Sequence, residues 1–244
     1  MCTLSFIAKH NGFLVGMNRD ELLSRGVAQP PILRKVPGTT ALFPTDVEGG
    51  SWIAVTETGN CFAVLNRNGG DRRKKQRSRG ELVIKVLGSA GFPDAEALLG
   101  GSELARYLPF RLVALFSSAE QVFEWVWDSR RLTSIEHGWQ SRHWFSSGIS
   151  DEEATRTRSR VFDSAWDESD AGERDWLRRV HRSHGEIAGA FSVCVHRDDA
   201  GSVSYTEVSV NHSEIAMSYG PGSPCQSAPM SEIVIRRPLT VSIL

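Results

Sequence analysis

A hairpin signal lies at the start of the chain. Cys2 to Ala8 and Phe13 to Met17 are apolar or β-prone runs, and Asn11-Gly12 lies between them. Asn-Gly between two such runs is a strong local indication of a tight turn. We therefore predict an antiparallel β-hairpin whose first strand begins at Cys2.

The rest of the chain has strand-like runs, then helix-like runs, then strand-like runs. A second hairpin is predicted from Trp52 to Val55 and Cys61 to Leu65, around Thr58-Gly59-Asn60. Helices are predicted at about 79–89, from near Pro93, and at 150–184 with a break near Gly172; strands are predicted at 110–116, 122–127, 132–135, 143–145, 191–196, 203–210 and 215–219. This order predicts an α+β fold of antiparallel sheets covered by helices, as one domain over residues 1–244.

Local signals refine this outline. Ser78 with Glu81, and Ser150 with Glu153, have the spacing of a capping box at the start of a helix. The stretch that contains Pro30, Pro31, Pro37 and Pro44 is predicted to be rich in turns.

The charge balance argues against several classes of partner. The chain has 28 Lys and Arg against 29 Asp and Glu, and a net charge of −1 gives no long-range attraction to nucleic acid or anionic membranes. The first residues lack a secretory signal pattern, and no segment has the length of an apolar span. We expect no nucleic-acid partner, no membrane insertion and a cytoplasmic location.

A local basic cluster runs from Arg67 to Arg79. It carries seven Lys and Arg residues and no aromatic residue that could stack on a base. We interpret it as a solvated loop that binds nucleic acid no tighter than the non-specific range of roughly 10⁻⁴–10⁻⁶ M.

No metal site is predicted. The cysteines at positions 2, 61, 194 and 225 have no Cys-x-x-Cys spacing and are expected to be thiols in a reducing compartment. Cys194 with His196, and His181 with His184, are pairs that could ligate a metal or haem iron, but neither has a third ligand at a recognisable spacing. Structural roles are the favoured interpretation for both pairs.

Cys2 is the candidate for chemistry. Removal of Met1, which the small Cys2 side chain permits, would place a thiol and a free α-amine on one residue. An α-amine titrates near ~8 and can act as the base that a thiol of pKa roughly 8.5 needs to become a nucleophile. The alternative is that Cys2 is an ordinary residue beside a solvated strand end.

The predicted hairpin brings Asn18-Arg19-Asp20-Glu21 beside Cys2. With Asn11 and Gly12 at the centre of the turn, Cys2 lies opposite Glu21, and Arg19 is two positions along on the same face. Arg19 is expected to lower the pKa of the Cys2 thiol. Asp20 falls on the opposite face, so its direct contact with Cys2 would require a bulge or a strand end.

Five ordered blocks resemble the Asn-Arg-Asp-Glu (NRDE) family, whose eukaryotic members are called transport and Golgi organisation proteins. The blocks are Met1-Cys2-Thr3; Asn18-Arg19-Asp20-Glu21 with Ser24-Arg25; residues 48–55; Leu65-Asn66; and residues 78–83. The resemblance implies a four-layer αββα sandwich similar to N-terminal nucleophile hydrolases, and a more distant similarity to cysteine-dependent bile-salt and penicillin amidases. It is also associated with haem trafficking.

The resemblance implies roles for individual residues. Cys2 matches the nucleophile of the amidases, Asp20 the acidic neighbour that orients the amine, and Asn66 one of the Asn positions that help to bind the oxyanion. Arg19 is offset by two positions from the amidases' arginine, whose place Met17 takes. Residues 145–148 lack the amidases' Asn and residues 191–194 lack a late Arg; losing an oxyanion donor costs about 10²–10³ in rate.

Two functions remain open. The first is a cysteine-dependent hydrolase of a non-peptide C–N bond in a small or acylated amide, and the second is a non-catalytic carrier of haem or another hydrophobic ligand. No cofactor is predicted for the first, whereas haem would be the ligand in the second. The predicted catalytic residues are Cys2, Arg19, Asp20 and Asn66, and the predicted ligand-binding residues are Asn18, Glu21 and Arg79.

Overall fold

The computed structural model describes residues 2–70, 77–185, 187–226 and 229–237. Residues 71–76, with most of the basic cluster, lie outside this part of the chain. The strands are β1 (Cys2–Lys9), β2 (Gly12–Leu22), β3 (Gln29–Val36), β4 (Thr39–Thr45), β5 (Ile53–Thr56), β6 (Cys61–Asn66), β7 (Phe110–Phe116), β8 (Gln121–Trp127), β9 (Leu132–His137), β10 (Arg142–Ser146), β11 (Ala200–Val210), β12 (Glu214–Pro221) and β13 (Ser231–Arg236). The α-helices are α1 (Gly80–Val86), α2 (Phe92–Gly100), α3 (Asp151–Ala165) and α4 (Arg174–Arg182).

The strands form two antiparallel sheets. Sheet A has the order β10-β1-β2-β11-β12-β13, and sheet B has the order β3-β4-β5-β6-β7-β8-β9. In sheet B every strand pairs with its neighbour in sequence, whereas in sheet A the first hairpin lies between strands from the second half of the chain. The strand that begins with Cys2 is therefore flanked on both sides.

Alternation along the strands creates three apolar cores. In β1, Leu4 and Phe6 face sheet B, whereas Ile7 faces the other way and packs with Phe162 and Trp176 of α3 and α4. A further core lies between sheet B and the pair α1 and α2. The layers are thus helices, sheet A, sheet B and helices, which confirms the four-layer αββα prediction.

Membrane-spanning helices are not found among the described residues, since none of their helices is long and apolar enough to cross a bilayer.

The proline-rich stretch is not the turn-rich segment predicted from sequence. It forms β3 and β4, with Pro30 and Pro31 in the first and Pro44 in the second. β3 is an edge strand, where a missing backbone N–H is tolerated, and its pairing with β4 shifts register between Gln29 and Ile32. The prolines therefore occupy an edge and an irregularity of a sheet.

The strand predicted at 191–196 is also wrong. Residues 187–199 form no helix or strand, and their only β-bridge joins His196 to Gly201. The apolar side chains of Val193 and Val195 are nevertheless fully buried. Because the segment is buried, its sequence has the apolar pattern of a strand, although it forms no β-ladder.

Candidate active site at Cys2

Cys2 begins a strand in the interior of sheet A. It pairs with Ser146 of β10 on one side and Arg19 of β2 on the other, and only 5% of its surface is exposed. The backbone N–H of Cys2 donates a hydrogen bond of 2.9 Å to Ser146 Oγ. The nitrogen that the sequence analysis proposes as a base thus contacts a hydroxyl.

The register of the first hairpin differs from the prediction. Lys9 pairs with Gly12, so Cys2 faces Arg19 and not Glu21. A Cβ atom at Gly12 would lie 1.9 Å from the carbonyl oxygen of Val210, so this glycine is required by the close approach of β11. A two-residue shift preserves the faces of a strand, and Arg19 remains on the side of Cys2.

Arg19 is held over an aromatic ring. Its guanidinium carbon lies 4.5 Å from the centre of the Trp52 ring, and Nη2 lies 3.6 Å from Glu21 Oε2. The Arg19 side chain is 7% exposed. This stacking and pairing leave the cation close to Cys2 at low conformational freedom.

Asp20 is buried on the other face of sheet A. Its Oδ1 accepts a 2.6 Å hydrogen bond from Ser202 Oγ, and its Oδ2 lies 3.5 Å from Arg158 Nη2. The β2–β11 pairing is irregular here, between Ser202 and Ser204, but Asp20 stays on the face opposite to Cys2 that strict alternation predicts. Burial raises the pKa of the Asp20 carboxyl, while Arg158 and the Ser202 hydrogen bond act in the opposite direction.

Arg158 of α3 is a residue that the sequence analysis missed. Its side chain is fully buried, and Nη1 donates to Cys2 O at 3.2 Å, to Thr3 Oγ1 at 2.9 Å and to Ser146 O at 3.2 Å. Arg158 therefore connects the start of β1 and the end of β10 to α3. The available signal was its position on the buried stripe of α3.

Several charges act on the Cys2 thiol. Burial raises the pKa of Cys2, and the negative charge of Asp20 adds to this. The backbone N–H of Asp20 and the guanidinium of Arg19 lower the pKa and offset part of the rise. The predicted effect of Arg19 thus has the expected sign, but the overall direction is upward.

Cys2 lines a charged cavity of about 220 Å³ between the two sheets and the start of α1. Trp52, Val64 and Leu108 contribute apolar surface. The arginines of the lining are Arg19, Arg25, Arg77 and Arg79, and its acidic residues are Glu21, Asp46 and Glu48; Asp20 also borders the cavity, but its carboxylate is fully buried. Such a lining suits a small ligand that carries both hydrogen-bonding groups and charge.

The cavity includes most of the residues predicted from the sequence. Asn66, Glu21 and Arg79 line it together with Cys2 and Arg19. Arg79 Nη1 also donates to Pro109 O at 3.2 Å.

Asn18 lies elsewhere, on the helix-facing side of sheet A. Its Nδ2 donates to the carbonyl oxygens of His181 and Val193, at 2.8 and 2.9 Å, and its Oδ1 lies 3.0 Å from His181 Nδ1. The ligand-binding role predicted for Asn18 does not fit this placement. Its side chain instead joins β2 to α4 and to the segment that follows α4.

The sequence matches the family described as Transport and Golgi organisation 2 (TANGO2) over residues 1–212. The chain belongs to this family. The match confirms the resemblance to the NRDE proteins, and it extends well beyond the first 90 residues in which the motifs are clear. A search of curated proteins found no match to the chain.

Solved structures share the fold of this TANGO2-family chain. Penicillin V acylase from Agrobacterium tumefaciens is 12% identical, with a TM-score of 0.52 and coverage of 96% of this chain and 86% of the acylase. A mutant conjugated bile acid hydrolase from Clostridium perfringens is 10% identical, with a TM-score of 0.55 and coverage of 96% and 92%. At these identities the similarity establishes an N-terminal nucleophile hydrolase-like sandwich, and function has to be argued from the site.

A third similar structure is the Caenorhabditis elegans orthologue of N-acylethanolamine-hydrolyzing acid amidase. It is 9% identical and has a TM-score of 0.55, with coverage of 85% of this chain and 92% of the amidase.

Proposed function

We propose that this TANGO2-family protein hydrolyses the C–N bond of a small, polar, non-peptide amide, with Cys2 as the nucleophile. The observation that carries this proposal is the position of Cys2 in a charged cavity, directly opposite Arg19. The shared fold with acylases and an amidase adds support by analogy.

The reaction follows the logic of an N-terminal nucleophile. After Met1 is removed, the α-amine of Cys2 takes the thiol proton, and Sγ attacks the carbonyl carbon of the amide. The tetrahedral intermediate collapses, the C–N bond breaks, and the amine leaves with the proton from the Cys2 ammonium. A water molecule, deprotonated by the same amine, then attacks the thioester, and C–S cleavage releases a carboxylic acid and the thiol.

The neighbours of Cys2 have distinct roles in this proposal. Arg19 favours the thiolate over the thiol, because its positive charge lies across the strand pair. Asn66 supplies an amide group to the oxyanion from the cavity wall. Asp20 and Arg158 lie on the helix-facing side of β1. Their ion pair and the Arg158 hydrogen bond to Ser146 O hold the nitrogen of Cys2 in place against Ser146.

The cavity favours a compact substrate. A volume of about 220 Å³ and a lining rich in both arginine and carboxylate match a small charged amide better than a long acyl chain. We expect substrates with a carboxylate or phosphate near the scissile amide, which arginine binds well.

The test combines intact mass with trapping of the thioester. The purified protein should lack Met1, and brief incubation with a panel of small anionic amides followed by acid quench should add an acyl mass to the Cys2 peptide. Cys2→Ala should abolish both the adduct and turnover. Cys61→Ala is the matched control, because Cys61 is buried in β6 and should leave both unchanged.

Retention of Met1 would exclude the amine-base mechanism. Turnover that survives in the Cys2→Ala variant would exclude Cys2 as the nucleophile.

A second candidate function has an observation of its own. A larger cavity of about 670 Å³ lies beside α3 and α4, and its apolar residues are Val161, Ala165, Val180 and Ile187. A carrier of haem or another hydrophobic ligand would use this cavity, since the Cys2 cavity is charged. The carrier function predicts a Soret shift on haem titration that weakens in Ile187→Glu but not in Ile149→Glu, whose side chain is also exposed and is not in the lining.

A further inference from the structure

Four potential metal ligands meet on the helix side of sheet A. His184 follows α4, Cys194 and His196 lie in the irregular segment 187–199, and Cys225 lies in a short 3₁₀ turn after β12. One ligand atom from each residue falls within 4.8 Å of all the others. His196 Nε2 is 3.1 Å from His184 Nε2, 3.6 Å from Cys194 Sγ and 3.4 Å from Cys225 Sγ.

These separations match the edges of a zinc tetrahedron. Zinc bonds of about 2.3 Å to sulfur and about 2.05 Å to nitrogen place nitrogens about 3.3 Å apart, and nitrogen and sulfur about 3.6 Å apart. Two thiolates and two neutral imidazoles also neutralise the divalent ion. The mixed nitrogen and sulfur set favours zinc over magnesium or calcium, which prefer oxygen.

We propose that His184, Cys194, His196 and Cys225 bind one Zn²⁺ in a closed, structural Cys₂His₂ site. Four protein ligands leave no open position for substrate, so the ion has a structural role. This proposal stands independently of any reaction at Cys2. None of the four residues lines the Cys2 cavity.

The surroundings of the sulfur atoms support this assignment. Ser223 Oγ lies 3.3 Å from Cys194 Sγ and 3.4 Å from Cys225 Sγ. A hydroxyl between two thiolates can donate a hydrogen bond to one of them and orient it, as outer-shell groups do in metal sites. Ser223 is therefore a positioning residue in the proposed site.

The site would fasten a segment that has little regular structure of its own. The long irregular stretch at 187–199 links α4 to β11, and a connection of this length is unusual in a compact fold unless it has a function or a tether. Val193 O accepts from Asn18, and Val195 N donates to Ser202 Oγ, which in turn hydrogen-bonds Asp20. Zinc would thus brace the backbone that supports Asn18 and Asp20 of β2.

Metal analysis of the protein purified under reducing conditions tests the proposal. We expect one zinc per chain, and removal by a chelator should lower the melting temperature reversibly. Refilling with Co²⁺ should give the visible bands of tetrahedral cobalt and a near-ultraviolet thiolate-to-cobalt band. These measurements use the wild-type protein, so they do not depend on the folding of a variant.

Variants then assign the ligands. Cys225→Ser and His184→Ala should lose the cobalt spectrum, and Ser223→Ala should weaken zinc binding by about 10–100-fold. Cys61→Ala, in sheet B, is the matched control and should keep both. A wild-type protein with no bound zinc and no tetrahedral cobalt spectrum would overturn the proposal, as would unchanged zinc affinity in Cys225→Ser or a Cys194–Cys225 disulfide in the reduced preparation.

Discussion

Arg19 and Arg158 approach the first residue of β1 from opposite faces of sheet A. Arg19 stacks on Trp52 in the cavity, while Arg158 projects from α3 and contacts backbone oxygens of Cys2 and Ser146. Arg158 and Asp20 form a buried ion pair, in which loss of one partner typically costs about 3–5 kcal/mol because a charge is left uncompensated. Arg19, by contrast, lies where its charge lowers the pKa of the Cys2 thiol.

Removal of the Arg19 charge should make Cys2 a weaker nucleophile. Arg19 lowers the pKa of Cys2 against the larger effect of burial, so Arg19→Ala should raise that pKa further and slow alkylation at neutral pH. The measurement is iodoacetamide labelling from pH 6 to 9, read by peptide mass spectrometry. Arg25→Ala is the control, because Arg25 lines the same cavity but pairs with Asp46 at 2.9 Å; an unchanged Cys2 profile in Arg19→Ala would contradict the prediction.

Cys225 needs separate attention in that experiment. Residues 220–229 around it include no Lys, Arg or His, but in the structure His196 Nε2 is 3.4 Å from its sulfur. Cys61 and Cys194 are buried, and burial raises the pKa of both thiols, that of Cys194 to about 11. Burial also raises the pKa of Cys2, but there the Arg19 cation acts against burial, so Cys2 should label before these two. Labelling of Cys225 should fall when zinc is bound.

The sequence located Cys2 and Arg19 together, since a two-residue error in register does not change the face of a strand. It could not locate Arg158 as a partner of Asp20. A charged residue on a helix is usually solvated, and only its alignment with Ala154, Phe162 and Ala165 on the buried stripe would have indicated otherwise. The sequence offered Cys194 with His196, and His184, as possible ligands but did not join them to Cys225, because the residues of the proposed zinc site come from three separate segments.

At the scale of elements, two capping-box patterns have different outcomes. Ser150 Oγ accepts a hydrogen bond from Glu153 N at 3.1 Å and caps α3, as predicted. At α1 the N-cap residue is Arg79, which makes no side-chain cap, and Glu81 N donates to the carbonyl oxygen of Ser78. The same local pattern therefore forms a cap in one helix and a backbone turn in the other.

This difference gives a matched pair of substitutions. Ser150→Ala should lower the free energy of unfolding by about 1 kcal/mol, because the N–H of Glu153 loses its acceptor. Ser78→Ala should change it by clearly less. Urea unfolding at pH 7 measures both, and Ser150→Asp should restore most of the loss; equal effects of the two alanine variants would show that the cap has no special contribution.

Strand prediction failed where tertiary context decides pairing. β3 and β4 contain three of the prolines. β3 tolerates them because it is an edge strand, and β4 tolerates Pro44 because β4 pairs with β5 only at Ala41 and Leu42. The stretch at 191–196 is buried and apolar but finds side-chain partners such as Asn18 in place of a ladder. Neither outcome can be inferred from local propensity.

At the scale of the whole molecule, buried histidines should make the fold sensitive to acid. Burial lowers the pKa of His181 to about 3, and that of His143 also to about 3, from 6.5. The folded protein keeps both rings neutral while the unfolded chain takes up protons below pH 6.5. Stability is therefore complete above that pH and is lost as the pH falls from 6.5 towards 3.

The loss can be measured and assigned. Each such histidine removes up to about 2 kcal/mol of unfolding free energy between pH 7 and pH 5. The His143 ring is only partly buried, so His143→Phe should reduce the loss by somewhat less than this. Phenylalanine can keep the stacking of the His143 ring on Phe162, at 3.9 Å. Urea unfolding at the two pH values is the test, with the exposed His10→Gln as control; an undiminished loss in His143→Phe would refute the assignment.

The two sheets differ in how soon they can form during folding. Every pairing in sheet B joins consecutive strands, but in sheet A β1 must meet β10, 144 positions along at Cys2 and Ser146, and β2 must meet β11, 182 positions along at Asp20 and Ser202. Closing such long loops is slow. We expect pulsed hydrogen exchange during refolding to protect Val113 and Leu115 of sheet B before Leu4 and Val15 of sheet A, and the reverse order would disprove this.

It follows that the surroundings of Cys2 are completed late in synthesis. Arg158 and Ser202, which fix Asp20, lie in the second half of the chain. A nascent chain that ends before β11 therefore carries the thiol, Arg19, Asp20 and Arg158, but it lacks Ser202, which hydrogen-bonds Asp20. The order of the strands thus leaves β2 without its β11 neighbour, and Asp20 without Ser202, until nearly the whole protein has been made.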